Sequence, residues 1–454
     1  TGGRLRMTGG SIYNNAAATG AGMGIWNDAG AGNPSTFTMT GGEISNNTAN
    51  ATGGGIRSRG RAEINSVIVT IGESASISRN SAQTGGGVYN EKYSTFRMEG
   101  GVISNNSSTW SNASRGGGGV YNEGSFSLTD GTISGNDTAT DGGGVLNGGG
   151  TFTMTGGQLV DNGKTATGAG GGIYVIDNVE NGKTGFIMTG GTIQGNGNAL
   201  LTYGGGVYIT TDAFADISGG TISGNIAGIG DGVYLAIQSK TLTLSASPAI
   251  LDEVYLAVEK LIYVDSPFTP PMPIPVGTPA WAAGVDIVKY NSGAAPASDL
   301  SKFRMVNPAL SLRKDMITPD DSVFELNTPS YSNIYFVNNA GTGNGKSPGA
   351  PCTLAAAYQS MADTGGTVFI VGGINVAANW TLSSTSFNNG TTTYSISDGN
   401  HVDIYRFAKL DGSDTLSRET GLVFTTASYT DTLFTAASGG TLSLSNIVID
   451  GHSR

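Results

Sequence analysis

Three groups of residues have types and spacings that could do chemistry. Asp403, Arg406, Lys409, Asp411 and Asp414 combine carboxylates with bases, the equipment that glycoside cleavage needs for proton transfer or for neutralising charge at sugar carbons. All five fall on one strand and the loop after it, so a solvated turn is the better reading, and no catalytic residue is assigned. Asp28, Asp137, Asp141 and Asp161 sit beside turns, where carboxylates accept backbone N–H bonds. The third group is aromatic. In a recurring GGGVYN-like segment, the residue after the aliphatic one is Trp26, Arg57, Tyr89, Tyr121, Leu146, Tyr174, Tyr208 and Tyr234. Arg57 fits there only if the position faces outward. The candidate ligand-binding residues are therefore Trp26, Tyr89, Tyr121, Tyr174, Tyr208 and Tyr234, a stripe of rings for sugar faces or a partner protein. The competing reading is a ladder of rings that stabilises its own sheet or lies under variable loops.

The elements that position these residues follow from an internal repeat. One signature is a Gly-rich bend, an aliphatic residue and a polar end, as in Gly41-Gly42-Glu43-Ile44 to Asn47 and Gly100-Gly101-Val102-Ile103 to Asn106. The second is GGGVYN at Gly85 to Asn90 and Gly117 to Asn122, with variants beginning at Gly142, Gly170 and Gly204. The two alternate. The terminal Asn15, Asn47, Asn80, Asn106, Asn136, Asn162, Asn196 and Asn225 are 32, 33, 26, 30, 26, 34 and 29 residues apart, a spacing that suits one coil of a β-solenoid with three short strands.

Alternation assigns the faces. Leu5, Phe37, Val69, Phe96, Phe126, Phe152, Phe186 and Ala215 form one inward column, and Met7, Met39, Ile71, Met98, Leu128, Met154, Met188 and Ile217 form the next. Between them stand Arg6, Thr38, Thr70, Arg97, Ser127, Thr153, Ile187 and Asp216, a mixture suited to water. Stacking at about 4.8 Å per coil gives a rod roughly 40 to 50 Å long. The terminal asparagines have two readings. Each carboxamide could donate to one neighbouring coil and accept from the other, forming an internal Asn ladder; or Asn could simply tolerate a left-handed turn.

Composition agrees with strands and turns. Of 454 residues 74 are Gly and 13% are charged, against roughly 25% charged in ordinary soluble domains. The net charge of −11 and the absence of a basic run argue against nucleic acid as a partner. One cysteine, Cys352, and two histidines, His401 and His452, leave no zinc constellation. The Ca²⁺-binding GGxGxDxUx nonapeptide is absent, and neither a metal nor a cofactor is expected. No stretch has the roughly 18 apolar residues of a membrane span, and oligomeric state is not legible. Thr-x-Thr, which could order water for ice binding, occurs at Thr38-Met39-Thr40 and Thr153-Met154-Thr155 but is interrupted by Arg6, Arg97 and Glu99.

The paired signatures resemble the right-handed parallel β-helix of large bacterial surface proteins, including the polymorphic outer-membrane protein family with its GGA[IV] and FxxN repeats. The likeness covers residues 1–265, although this chain has GGGVYN where that family has GGAI. Then come six of fourteen prolines between Pro267 and Pro279, which are expected to exclude the segment from a central strand and end the rod. Residues 266–330 read as a Pro-rich linker and small β-rich connector. From 331 to 454, a strand at Ile334 to Val337, an Ala-rich helix near Leu354 to Ala362, a strand at Gly365 to Val371 and ascending segments at Leu422 to Phe424 and Leu442 to Gly451 resemble the opening of a pectin-lyase-like β-helix with its N-terminal capping helix. The expected architecture is all-β: two rods joined by a Pro-rich connector, the second truncated, in a segment of a longer modular chain. The resemblance implies a secreted or cell-surface bacterial repeat protein that displays a binding face to glycans or proteins. A carbohydrate-active β-helix enzyme, its site on coils absent here, is the alternative.

Overall fold

The computed structural model describes residues 2–17, 23–27, 33–62, 66–111, 116–177, 184–279 and 285–307, and shorter pieces between 310 and 445. The chain divides into two compact units, the first running in the main from Thr1 to Leu326, the second consisting mostly of residues from Asn327 onwards.

The first unit is a parallel β-solenoid of about nine turns. Its pairing follows the sequence repeat: Leu5, Phe37, Val69 and Phe96 stand in register, as do Phe126, Phe152, Phe186 and Ala215, and the Met7 column keeps the same phase two residues on. From Phe37 and Met39 onwards both columns are buried. Phe96, Phe126, Phe152 and Phe186 stack with centroids 5.2, 4.4 and 5.3 Å apart. Each such side chain contributes about 1.5–3 kcal/mol by leaving water. The intervening column from Arg6 to Asp216 reaches solvent. A third inward column, Ile44, Ile77, Ile103, Ile133, Leu159, Ile193 and Ile222, follows the Gly-Gly bend and stays in register coil by coil.

The asparagines form the internal ladder. Nδ2 of Asn15, Asn47, Asn80, Asn106, Asn136, Asn162 and Asn196 each donates to Oδ1 of the next Asn at 2.8–3.0 Å. The same oxygen also accepts the backbone N–H of the preceding Asn, as Asn136 Oδ1 does from Asn106 at 3.0 Å. The second amide hydrogen goes back one coil to a carbonyl, from Asn136 to Ile103 at 2.9 Å. Every polar atom of the carboxamide is thereby used, which is what allows it to be fully buried. The left-handed geometry falls on the residue before: Asn14, Asn46, Arg79, Asn105 and Asp161 have φ between 54° and 56°. The ladder reading therefore holds for the terminal asparagines, and the left-handed reading does not, since that geometry belongs to their neighbours.

The ladder also explains the third Gly of GGGVYN. A Cβ on Gly119 would lie 2.6 Å from Gly144 O and 3.1 Å from Cγ of Asn136. The two signatures alternate because the glycine of one makes room for the asparagine of the other.

The solenoid does not stop near 265. Ile274–Gly277 pairs in parallel with Val254–Leu256 on one side and Phe303–Met305 on the other, and Ile262–Phe268 pairs with Asp286–Tyr290. Pro275, expected to lie in a linker, is a buried residue of a central strand. The expectation fails because proline forfeits one donor, while strands this short are held mainly by the inward side chains Ile274 and Val276. In the larger sheet the parallel stack ends where Val323–Asn327 pairs antiparallel with Asp286–Tyr290 and covers that edge.

In the second unit, Ile334–Val337, Gly366–Val371 and Val402–Phe407 form a parallel sheet, and Trp380–Ser383 pairs in parallel with Leu442–Ser445. The helix is Leu354–Ser360. Thr353 caps it by accepting the Ala356 N–H at 3.2 Å, and Leu354, Ala357 and Tyr358 are buried. The segment at Leu422 to Phe424 lies outside the described residues, as do Ile447 to Gly451.

Candidate functional site

The aromatic column belongs to an 11-stranded parallel sheet built from the GGGVYN segments. Arg57, Tyr89, Tyr121, Leu146, Tyr174, Tyr208, Tyr234 and Tyr255 are in register. Trp26 is not among them. Met23, rather than Ile25, takes the aliphatic place opposite Ile56, so Gly24 pairs with Arg57 and Trp26 with Arg59, two residues out of the column. Tyr255 is a member that the reading of the sequence left out, although its Val-Tyr-Leu-Ala segment repeats that of Val233 to Ala236.

The column points away from the Phe and Met core, but much of it is covered. Tyr121 is 4% and Tyr174 6% exposed, and both pack with Leu146, Ala169 and Ile176 in a separate apolar cluster. Outward direction is set by strand alternation, whereas exposure depends on what the corner loops lay over the sheet. These two tyrosines are corrected from surface residues to the core of a satellite cluster. Tyr89, Tyr208, Tyr234 and Tyr255 are half-buried.

The rings stack along the rod axis. Tyr89 and Tyr121 are 5.0 Å apart and nearly coplanar in orientation, at 6°. Tyr174, Tyr208, Tyr234 and Tyr255 follow at 5.1, 5.4 and 5.2 Å. Tyr203, from the corner before the sheet, packs beside Tyr208 at 6.0 Å and Tyr234 at 4.6 Å. At the early end the Arg57 guanidinium lies 5.9 Å from the Tyr89 ring and donates to Glu91 at 2.5 Å. Burial raises the phenol of Tyr89 well above its ordinary value, with the Glu123 carboxylate adding to the effect. Burial also raises Tyr208, partly offset by a bond with Thr210, and raises Tyr234. Tyr255 is pushed up to about 12 by burial and then by Glu253. Tyr89, Tyr208, Tyr234 and Tyr255 are therefore neutral phenols at physiological pH.

The carboxylates beside turns behave as backbone acceptors. Buried Asp141 accepts the Ala169 N–H at 2.8 Å, and Asp137 accepts Thr165 N–H at 3.2 Å and its hydroxyl at 2.6 Å. Asp161 lies 3.3 Å from Lys164; Asp28 falls outside the described residues. Asp403 and Arg406 sit on Val402–Phe407, while Lys409, Asp411 and Asp414 are outside the described residues. Among the described residues no three of His, Cys, Asp and Glu come together as a group that could hold a metal ion, and no helix is long and apolar enough to cross a membrane.

Two polar features escaped the sequence reading. The Asn of GGGVYN builds a second, shorter ladder: Ser58 Oγ donates to Asn90 Oδ1 at 2.7 Å, Asn90 to Asn122 at 2.7 Å, and Asn122 to Asn147 at 2.6 Å. Its signal was the repeated terminal Asn of that motif. The long ladder ends on Asp252, whose carboxylate accepts the Asn225 Nδ2–H at 2.9 Å, the Asn225 N–H at 2.9 Å and the Gly224 N–H at 2.8 Å. A chain of donors running one way needs a pure acceptor at its end, and a carboxylate is one. Comparison with protein-family models, curated proteins and solved structures finds no match to this chain.

Proposed function

We propose that this chain is a rigid display segment of a larger secreted or cell-surface protein of the bacterial parallel β-helix kind, and that it acts by holding a contact face for glycans or proteins. The observation that carries this reading is the unbroken amide ladder from Asn15 to Asp252. It runs in one direction through the coils from Asn15 to Asp252 and ties each of these to the next. Such an investment in axial order suits a spacer that must keep its shape. The half-exposed tyrosines supply the contact chemistry, since a phenol offers apolar area with a polar tip.

Hydrogen exchange on the full chain tests the rod. The backbone amides of Asn47, Asn106, Asn136 and Asn196, each donating to the next carboxamide, should exchange only through global opening. Rapid exchange there would remove the basis for a rigid spacer. Turnover of a neutral or uronic-acid polysaccharide by the same preparation would replace display with the enzymatic alternative.

A further inference from the structure

The tyrosine column is closed in its middle and open at its later end, and the open part has a periodicity of its own. Tyr208, Tyr234 and Tyr255 are half-buried, as is Tyr203 beside them. Tyr208 and Tyr234 each have a neighbouring ring on both faces, at 5.1, 5.4 and 5.2 Å, while Tyr255, the last ring, stands beside Gly277 in the next coil. What remains for a ligand is the row of ring edges and hydroxyls, advancing by one coil at a time. A single sugar stacked flat on a ring, the usual mode for an isolated aromatic, is blocked at Tyr208 and Tyr234 by this arrangement.

A row with a period near 5 Å selects its occupant by length. An extended peptide advances 3.3–3.4 Å per residue, or about 6.7 Å between side chains on one face, and falls out of step with the coils. A pyranose linked through opposite ring carbons advances by about one ring length, close to one sugar per coil. Charge narrows the class further. The buried carboxylates of Glu253 and Asp141 act on Tyr255 and Tyr208, and the whole chain carries −11, so a polyanion is disfavoured. Apolar side chains border the same coils. Leu200 is 78% exposed and Ile226 44%, on corner segments that run side by side into Tyr203 and Ile229.

We propose that Tyr203, Tyr208, Tyr234 and Tyr255 form a binding site for a neutral, linear, equatorially linked glycan lying along the rod axis at one sugar per coil. This rests on the display reading and names the ligand class of that face. The phenols bond the sugar hydroxyls in series, and Leu200 and Ile226 meet the C–H surfaces.

Calorimetric titration of the full chain with cellobiose, cellohexaose and hexagalacturonate tests the site. Cellohexaose should bind at least about tenfold more tightly than cellobiose, because only the longer chain reaches every ring. Hexagalacturonate should bind more weakly than cellohexaose. Tyr234→Ala should weaken cellohexaose binding about tenfold or more, and Tyr234→Phe, which keeps the stack and removes one hydroxyl, should fall between it and the parent. Equal affinity for the two neutral lengths, preference for the anionic hexamer, no glycan binding, or parent-like affinity in a folded Tyr234→Ala protein would each overturn the proposal. Exchange protection of the ladder amides in the same samples separates this outcome from failure of the rod itself.

Discussion

The coils before Asp252 and those after it reach one architecture by different means. In the earlier coils a carboxamide occupies the same interior corner each time and bonds its counterparts above and below. Among the described residues of the later coils no such column continues, and buried carboxylates with ion-pair partners appear instead. Asp299 accepts the Tyr290 hydroxyl at 2.5 Å and lies 2.7 Å from Lys302; Glu325 accepts from Arg313 at 2.6 Å. The difference is one of periodicity. A ladder works only where every coil delivers the same group to the same height, so it demands regular corners. An ion pair fixes one place at a time, and can serve coils whose corners carry prolines and differ in length.

Breaking the ladder at its middle should give the largest effect. Asn136→Ala removes the acceptor of the Asn106 N–H and Nδ2–H and the donor to Asn162 Oδ1 and Ile103 O, leaving several buried groups unpaired. A loss of about 4 kcal/mol is expected from urea unfolding. Gly119→Ala crowds the ladder from the other side and should cost about 2–3 kcal/mol, since its Cβ would clash with the Gly144 backbone oxygen at 2.6 Å and press on Asn136 at 3.1 Å. If Gly119→Ala is neutral, the packing of one signature against the other is not what requires glycine.

The end of the ladder should be softer. Asp252→Ala deprives three donors of their acceptor, but Gly224 is exposed and water can replace one bond; about 1–2 kcal/mol is expected. Asp252→Asn retains an amide oxygen and should cost less than the alanine variant. Equal losses would show that the site does not depend on a pure acceptor.

The later coils should respond to acid. Burial alone would raise Asp299, but hydrogen bonds from Lys302 and Tyr290 and the Lys302 charge outweigh it and hold the carboxyl below its usual range. A depressed folded value means that the contribution is present above the unfolded carboxyl value, near 3.9, and is lost as pH falls through the folded one. Asp299→Asn should lower stability by about 1 kcal/mol at neutral pH and flatten the acid limb of the stability profile below pH 4. An unchanged limb would assign acid sensitivity to other carboxylates.

How much of this was legible depends on whether a feature repeats. The Phe, Met and Ile columns and the long Asn ladder recur at the coil period, so spacing alone located them. The Tyr column recurs too, and its register was legible from Tyr89 to Tyr234. Its first member was not, because Met23 and Ile25 are both apolar, share the inward face, and either could stand opposite Ile56. Burial of Tyr121 and Tyr174 was hidden because the residues beside the column change type from coil to coil: the place before the Gly triplet is Ala169 in one coil and Tyr203 and Ile229 in the next two. Pro275 misled because the rule against proline in central strands concerns a lost donor, and here the buried Ile274 and Val276 fix the strand. The Asp299 cluster joins residues from an irregular coil and left no pattern to read.

The smallest effect should come from the open tyrosines, and only in alkali. Burial and Glu253 push Tyr255 up to about 12, whereas an unfolded tyrosine titrates near 10. A raised folded value gives a contribution fully present below pH 10 and lost as pH rises through 12, because the unfolded chain releases its proton first. Tyr255→Phe should therefore leave stability at pH 7 nearly unchanged and reduce its decline between pH 10 and 12. Tyr208 and Tyr234 are shifted in the same direction and keep part of the slope, so Tyr234→Phe combined with Tyr255→Phe should reduce it further. The carboxamides of the interior ladder do not titrate and give no such slope. If the double variant loses stability in alkali as steeply as the parent, the alkaline weak point lies outside the tyrosine column, and the contrast between a non-titrating interior ladder and a titrating outer one fails.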